Sequence, residues 1–135
     1  MIVDTSALLA FFDTDEPDHQ AVTAVLGEAT EPLVVSPYVV AELDYLVASR
    51  LSVSTELAVL SELAGGAWDL PAITTEELRQ ACSIIERYAD QHIGVADASN
   101  VVLAARYRTR TIVTLDHRHF DVVRPLTGGR FTVLP

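Results

Sequence analysis

Lysine is absent from this chain, and all nine of its basic residues are Arg. The absence removes the phosphate-loop lysine, Schiff-base chemistry and the lysine that phospho-aspartate enzymes place beside their nucleophile. An all-Arg complement suits bidentate contacts to phosphate or carboxylate, and a compositional bias of the genome accounts for it equally well. Cysteine is nearly absent too. The lone Cys82 leaves no pair for a disulfide framework, which fits a reducing compartment better than secretion. No apolar run reaches the ~20 residues that span a bilayer. The N-terminus lacks a basic region and carries an acid at position 4, so no cleaved signal peptide and no membrane association are expected, and the cytoplasm is the expected location.

Positive charge is scarce overall, with a net charge of −10 over 135 residues. Taken alone that argues against a nucleic-acid partner. Its distribution changes the reading. Residues 1–105 hold 17 of the 19 acids and three Arg, whereas residues 106–135 hold six Arg and only Asp116 and Asp121. The 50% hydrophobic content and the absence of any repeat, linker or low-complexity segment predict a single domain over residues 1–135.

Short apolar runs alternate with helical periodicity along the chain. Met1-Ile2-Val3 reads as a buried strand ending on Asp4, with Thr5-Ser6 capping a helix that runs to Phe12. Helical spacing resumes at residues 19–29, and Leu33-Val34-Val35 is a second strand. Ser36-Pro37 pairs a cap with proline at the first helical position, opening a helix to about Ser49. Residues 54–63 form another helix, stopped by Gly65-Gly66, and residues 67–70 a third strand. Thr74 and Glu77 form a capping box for a helix to about Gln91, whose inward stripe includes Leu78, Ala81, Cys82, Ile85 and Tyr88; Cys82 is thus a core residue and not a nucleophile. Residues 96–107 are helical, residues 111–115 form a strand ending at Asp116, residues 118–122 a helical turn and residues 130–134 a last strand. Such alternation is the pattern of a parallel sheet with helices on both faces.

Four acids stand apart from the solvated surface. Asp4 and Asp116 each end a strongly apolar strand, so both emerge at the carboxyl edge of a parallel sheet, where ligands bind. Glu42 lies about 60° from Val39 by helical rotation and borders that helix's buried stripe. Asp97 heads the stripe Val101, Ala104, Ala105 and faces inward near the sheet edge; a helix N-cap is the alternative for it. Four carboxylates in one cleft repel, a pair at ~4 Å costing about 4 kcal/mol at an effective dielectric of 20. Without Lys, compensation falls to Arg or a metal. An all-oxygen cluster suits Mg²⁺, with Mn²⁺ as substitute, and such an ion activates water and neutralises a phosphoryl oxygen. Metal-assisted phosphodiester hydrolysis is the reading that follows.

At these residues the chain resembles the PIN-domain ribonucleases, and among them the VapC toxins of bacterial toxin–antitoxin pairs. The resemblance rests on Ile2-Val3-Asp4-Thr5-Ser6-Ala7, on Ser36-Pro37 with Val40-Ala41-Glu42-Leu43, on Asp97-Ala98, and on Thr114-Leu115-Asp116 with Phe120. It implies a three-layer α/β/α sandwich with a parallel sheet of about five strands. It also implies Mg²⁺-dependent endonucleolytic cleavage of a structured RNA, a ribosomal RNA loop or a tRNA, with water as nucleophile and products bearing 5′-phosphate and 3′-hydroxyl. Carried over by position, Asp4, Glu42, Asp97 and Asp116 are the catalytic, metal-holding acids, and Ser6 and Thr114 hydrogen-bond the acids or a metal-bound water. The implied partner is a VapB-type antitoxin that occupies the cleft, and the implied assembly is a homodimer, larger with antitoxin.

Two departures from the family pattern accompany it. His119 stands where many relatives carry another acid, and Asn100 where an apolar residue is common. Asn100 is placed to hydrogen-bond Asp97 or a bound water, or to serve as a satisfied structural amide. His117 and His119 read as exposed loop histidines beside an RNA site; Arg118 reads either as a phosphate contact or as an ion pair with Asp121. A non-catalytic interaction module of the same fold is the rival from another class. A phospho-aspartate phosphatase lacks both its lysine and the second Asp, since Ser6 stands in that place.

Overall fold

Three short parallel strands form the middle of the computed structural model, which describes all of residues 1–135. β1 (Ile2–Val3), β2 (Thr111–Val113) and β3 (Thr132–Leu134) lie in that order, with Ile2 opposite Ile112 and Ile112 opposite Val133. On the free side of β1, Val34 adds a single parallel bridge to Ile2, and Asp69 adds one to Val34. The five expected strand positions are thus three strands and two single bridges. Prolines explain the shortening. Pro32 and Pro37 bracket the Val34 segment and Pro71 closes the Asp69 segment, and a residue without an N–H cannot extend a ladder.

Period-2 alternation in these strands builds two cores. Met1, Val3, Val35 and Val113 point to one face, where α1 (Thr5–Phe12), α2 (His19–Gly27), α3 (Pro37–Arg50) and α4 (Val53–Leu63) bury Leu8, Val22, Leu43 and Leu63. Ile2, Val34 and Ile112 point to the other, against α5 (Thr75–Arg87), α6 (Val95–Arg106) and α7 (His117–Phe120), which bury Ile84, Leu103 and Phe120. Each fully buried Leu, Ile or Phe contributes roughly 1.5–3 kcal/mol. The result is the three-layer sandwich that the alternation predicts. No helix is long and apolar enough to cross a membrane.

The cap signals held at the starts of α3 and α5, and the structure adds a cap at α4 that was not read from sequence. Ser36 accepts the Tyr38 N–H with Pro37 at the first helical position, Ser52 accepts the Thr55 N–H, and Thr74 and Glu77 close a reciprocal capping box. At α1 the expected cap is displaced. Asp4 occupies the cap position without making a capping bond, because its carboxylate is held elsewhere. The long helix after Thr74 ends at Arg87 and passes into a 3-10 turn at Ala89–Gln91. Its buried positions are Ala81 and Ile84, whereas Cys82 is exposed. The core reading of Cys82 is therefore wrong: Ala81 and Ile84, three apart, set the inward stripe, and Cys82 lies about 100° of rotation beyond Ala81.

Candidate active site

Asp4 leaves β1 with its N–H donated to the Val113 carbonyl, so β1 and β2 deliver it to the carboxyl edge of the sheet. Its side chain is 5% exposed. The Ser6 and Thr114 hydroxyls donate to Oδ2 at 3.1 and 2.8 Å, and the Asn100 amide donates to Oδ1 at 2.9 Å. Asn100 therefore serves Asp4 and not Asp97, and its own Oδ1 is buried without a partner. The two hydroxyls are tied in turn: Ser6 Oγ accepts the Leu115 N–H and Thr114 Oγ1 accepts the Asp116 N–H. The β1 and β2 ends are thus welded around one carboxylate.

Glu42 comes from the first half of α3 and stands exposed at the cleft wall, where the Thr5 hydroxyl donates to Oε2 at 2.5 Å. Thr5 was legible only as a cap residue; its role in orienting Glu42 depends on packing across 37 residues of chain. Asp97 sits at the third position of α6, and its carboxylate accepts the Gly94 N–H at 3.1 Å. It is the returning half of a capping box and not an N-cap. Asp116 follows β2. Arg118 pairs with Asp116 at 3.4 Å, and not with Asp121.

His119 is the largest revision among the outer residues. Its Nδ1 lies 3.5 Å from Asp97 Oδ2 and 3.6 Å from Asp116 Oδ2, so it belongs to the cleft; α7 is one helical turn that carries it back over the acids. His117 is exposed, as expected. Together Asp4, Glu42, Asp97, Asp116 and His119 line a cleft of about 250 Å³ with Thr5, Ser6, Leu9, Leu46 and Arg50. The last was not singled out from sequence. Its signal was available, since Glu42, Leu46 and Arg50 recur at intervals of four along α3.

Burial and mutual repulsion govern the charges. Burial pushes the Asp4 carboxyl up, against the lowering by the Thr114 hydroxyl, and the charge of Asp97 adds to the rise. Asp97 is also raised by burial and by Glu42, although the Gly94 N–H and His119 oppose this. For Asp116 partial burial acts upward, but Arg118 and His119 outweigh it and hold the group below the usual carboxylate range. The cleft therefore contains carboxylates that resist ionising together, and only His119 and Arg50 among its lining groups can carry positive charge.

That donor set fits a hard divalent cation: every acid presents oxygen, and the like-charge strain is relieved by a bound cation. No three His, Cys, Asp or Glu side chains are gathered closely enough to enclose an ion by themselves. Mg²⁺ needs no such enclosure, since it keeps several waters and binds through one or two carboxylates.

Comparison with known proteins places this geometry in a family. The PIN-domain profile matches residues 1–125. The chain is 64% identical to Ribonuclease VapC26 of Mycobacterium tuberculosis over 135 residues, which is 100% of both chains. Among solved structures it is similar to VapC20 of M. tuberculosis, described as a sarcin–ricin loop cleaving toxin, with a TM-score of 0.85, 16% identity, and coverage of 99% of this chain and 98% of that one. It is similar as well to a toxin–antitoxin complex from Klebsiella pneumoniae, with a TM-score of 0.69, 13% identity, and coverage of 99% and 95%. At such identities the structural likenesses speak for the fold alone. The profile match over residues 1–125 and the full-length sequence match establish the kinship: this chain belongs to the PIN-domain family and, within it, to the VapC ribonucleases.

Proposed function

We propose that this chain is a metal-dependent endoribonuclease toxin that hydrolyses a structured RNA. The observation that carries the reading is the gathering of Asp4, Glu42, Asp97 and Asp116 from four separate parts of the chain into one cleft. Asp4, Glu42, Asp97 and Asp116 would hold Mg²⁺, directly or through water. When bound, the ion neutralises charge on a phosphoryl oxygen and makes an attacking water more acidic.

The remaining chemistry belongs to the chain. Ser6, Thr114 and Asn100 fix Asp4 from both of its oxygens, which cuts the reorganisation required as charge shifts in the reaction. Thr5 does the same for Glu42. A carboxylate of the cluster accepts the proton of the attacking water. Arg118, 88% exposed at its side chain, can exchange its long contact with Asp116 for a phosphate oxygen; His117 and His119 flank it. The ribonuclease name of the 64%-identical relative supports RNA as substrate.

A small VapB-type antitoxin is the partner that this reading assigns, its basic segment suiting the acidic body, and a homodimer is the expected form of the toxin. The substrate we favour is the ribosomal sarcin–ricin loop, with tRNA as the competing outcome. The test is to map cleaved ends after incubating the partner-free chain with intact ribosomes and with total tRNA in Mg²⁺. Discrete cuts leaving 5′-phosphate and 3′-hydroxyl are expected, in ribosomal RNA. Ends carrying a 2′,3′-cyclic phosphate would contradict water as nucleophile, and absence of any cut would favour a non-catalytic interaction module.

A further inference from the structure

The acids account for one side of phosphodiester chemistry and leave a difficulty on the other. A polyanion has to enter a cleft lined by four carboxylates, in a chain without Lys. Arg118 lies outside the lining of this cleft, beyond His119, in an adjoining polar pocket of about 400 Å³ with Asp90, Gln91 and His92. Arg50 lines the acidic cleft itself. It closes the ridge Glu42, Leu46, Arg50 on α3, each four residues from the last, so all three look into the same cleft, and Arg50 sits about 12 Å along the helix axis from Glu42.

Arg87, Arg108 and Arg130 share with Arg50 the lack of an ion pair, but of these four only Arg50 lines the acidic cleft. Arg79 pairs with Glu76, Arg106 with Glu77 and Arg118 with Asp116, whereas Arg50 makes no ion pair and no side-chain hydrogen bond although it lines an acidic cleft. Its guanidinium is exposed, so its five donors are available. Its position in the last turn of α3 also complements that helix's carbonyl end, which is the purely structural account.

We propose that Arg50 is a substrate-positioning residue: it grips, by bidentate hydrogen bonding, an RNA phosphate next to the scissile one, so that the strand runs from Arg50 across the acids toward His119 and Arg118. The bidentate fork fits phosphate, and the offset from Glu42 puts it on a neighbouring phosphate and not on the reacting one. The assignment rests on the nuclease reading for its reaction, but not for its test.

The test measures RNA binding in a non-cleaving background. A fluorescein-labelled hairpin RNA of sarcin–ricin loop sequence is titrated in Mg²⁺ against Asp4→Asn, Asp4→Asn/Arg50→Gln and Asp4→Asn/Arg50→Lys, at several salt concentrations. Loss of one charge-assisted phosphate contact weakens binding about tenfold in the Gln variant and lowers the slope of log K against log salt by about 0.7. The Lys variant keeps the slope and regains part of the affinity. In the otherwise native chain, Arg50→Gln raises KM for RNA cleavage while leaving kcat and the melting temperature near their original values, a split that a helix-end role does not produce. Unchanged affinity and slope in the Gln variant overturn the assignment, as does failure of Asp4→Asn to bind RNA at all. Binding that depends on Arg50 in a chain that never cleaves RNA would instead overturn the nuclease reading and leave Arg50 in place.

Discussion

Replacing Asp4 with Asn should make the metal-free protein more stable while destroying its activity. The carboxylate is 5% exposed and its ionised form is disfavoured by burial and by the charge of Asp97. Asn has the same shape. Its amide oxygen can accept from the Ser6 and Thr114 hydroxyls, and its amide nitrogen faces Asn100, whose unpartnered Oδ1 becomes an acceptor after a flip of that amide. The flip exchanges one buried orphan for another, since the Asn100 amide nitrogen then takes the place of its unpartnered Oδ1, so the net gain comes from removing the charge. A gain of about 1–2 kcal/mol is the usual scale for relieving a functional site of this kind, which for a chain of this length raises Tm by about 3–8 °C.

The pH dependence has a definite sign. An acid whose pKa is raised on folding binds more protons folded than unfolded, so stability falls as pH rises through that window. Asp4→Asn should therefore exceed the parent most at neutral pH, and the gap should close as pH falls toward the ordinary value of 3.8, where protonation does the work of the substitution. Thermal melts in chelator across pH 4 to 8 measure it. In millimolar Mg²⁺ the ordering should narrow or reverse, since the parent alone gains from binding. An Asp4→Asn protein less stable than its parent in chelator at neutral pH would refute the electrostatic reasoning.

Other outcomes follow from the same contacts. Thr5→Val removes the donor that orients Glu42 and should weaken Mg²⁺ binding by about tenfold, read by calorimetry, with the fold intact. Glu77 joins a capping box to the Arg106 ion pair, and its pKa is lowered by Arg106 and by the Thr74 donors despite partial burial. Glu77→Gln should cost about 1 kcal/mol in urea melts at neutral pH. That stability is present above the ordinary pKa of 4.5 and is lost as pH falls through the lowered folded value, so the deficit should vanish in acid. Leu103→Ala, at a site with no solvent exposure, should lose about 2–5 kcal/mol.

The acids were legible because each is tied to a local pattern: Asp4 and Asp116 end apolar runs, Glu42 borders a helical stripe and Asp97 opens one. The sandwich was legible for a similar reason, since strands and helices alternate in order. What could not be read depends on contacts between distant segments. Thr5 looks like a cap until α1 meets α3, and Asn100 reaches Asp4 across 96 residues. His119 returns to the cleft only because a single turn follows Asp116. Cys82 was misplaced by a local error, because an apolar-looking stripe can be drawn one residue off when Leu78 and Ile85 are as apolar as Ala81 and Ile84. Strand length was overread where flanking prolines withhold the N–H groups that a ladder requires.

The most direct measurement is cleavage of total bacterial RNA by the partner-free chain in Mg²⁺, in Mn²⁺ and in chelator, beside Asp4→Asn and Asp97→Asn. The account predicts discrete fragments that require the metal and fall at least a hundredfold in both folded variants. Cleavage that persists in chelator, or in either variant, would contradict the claim that this cleft of carboxylates performs the hydrolysis.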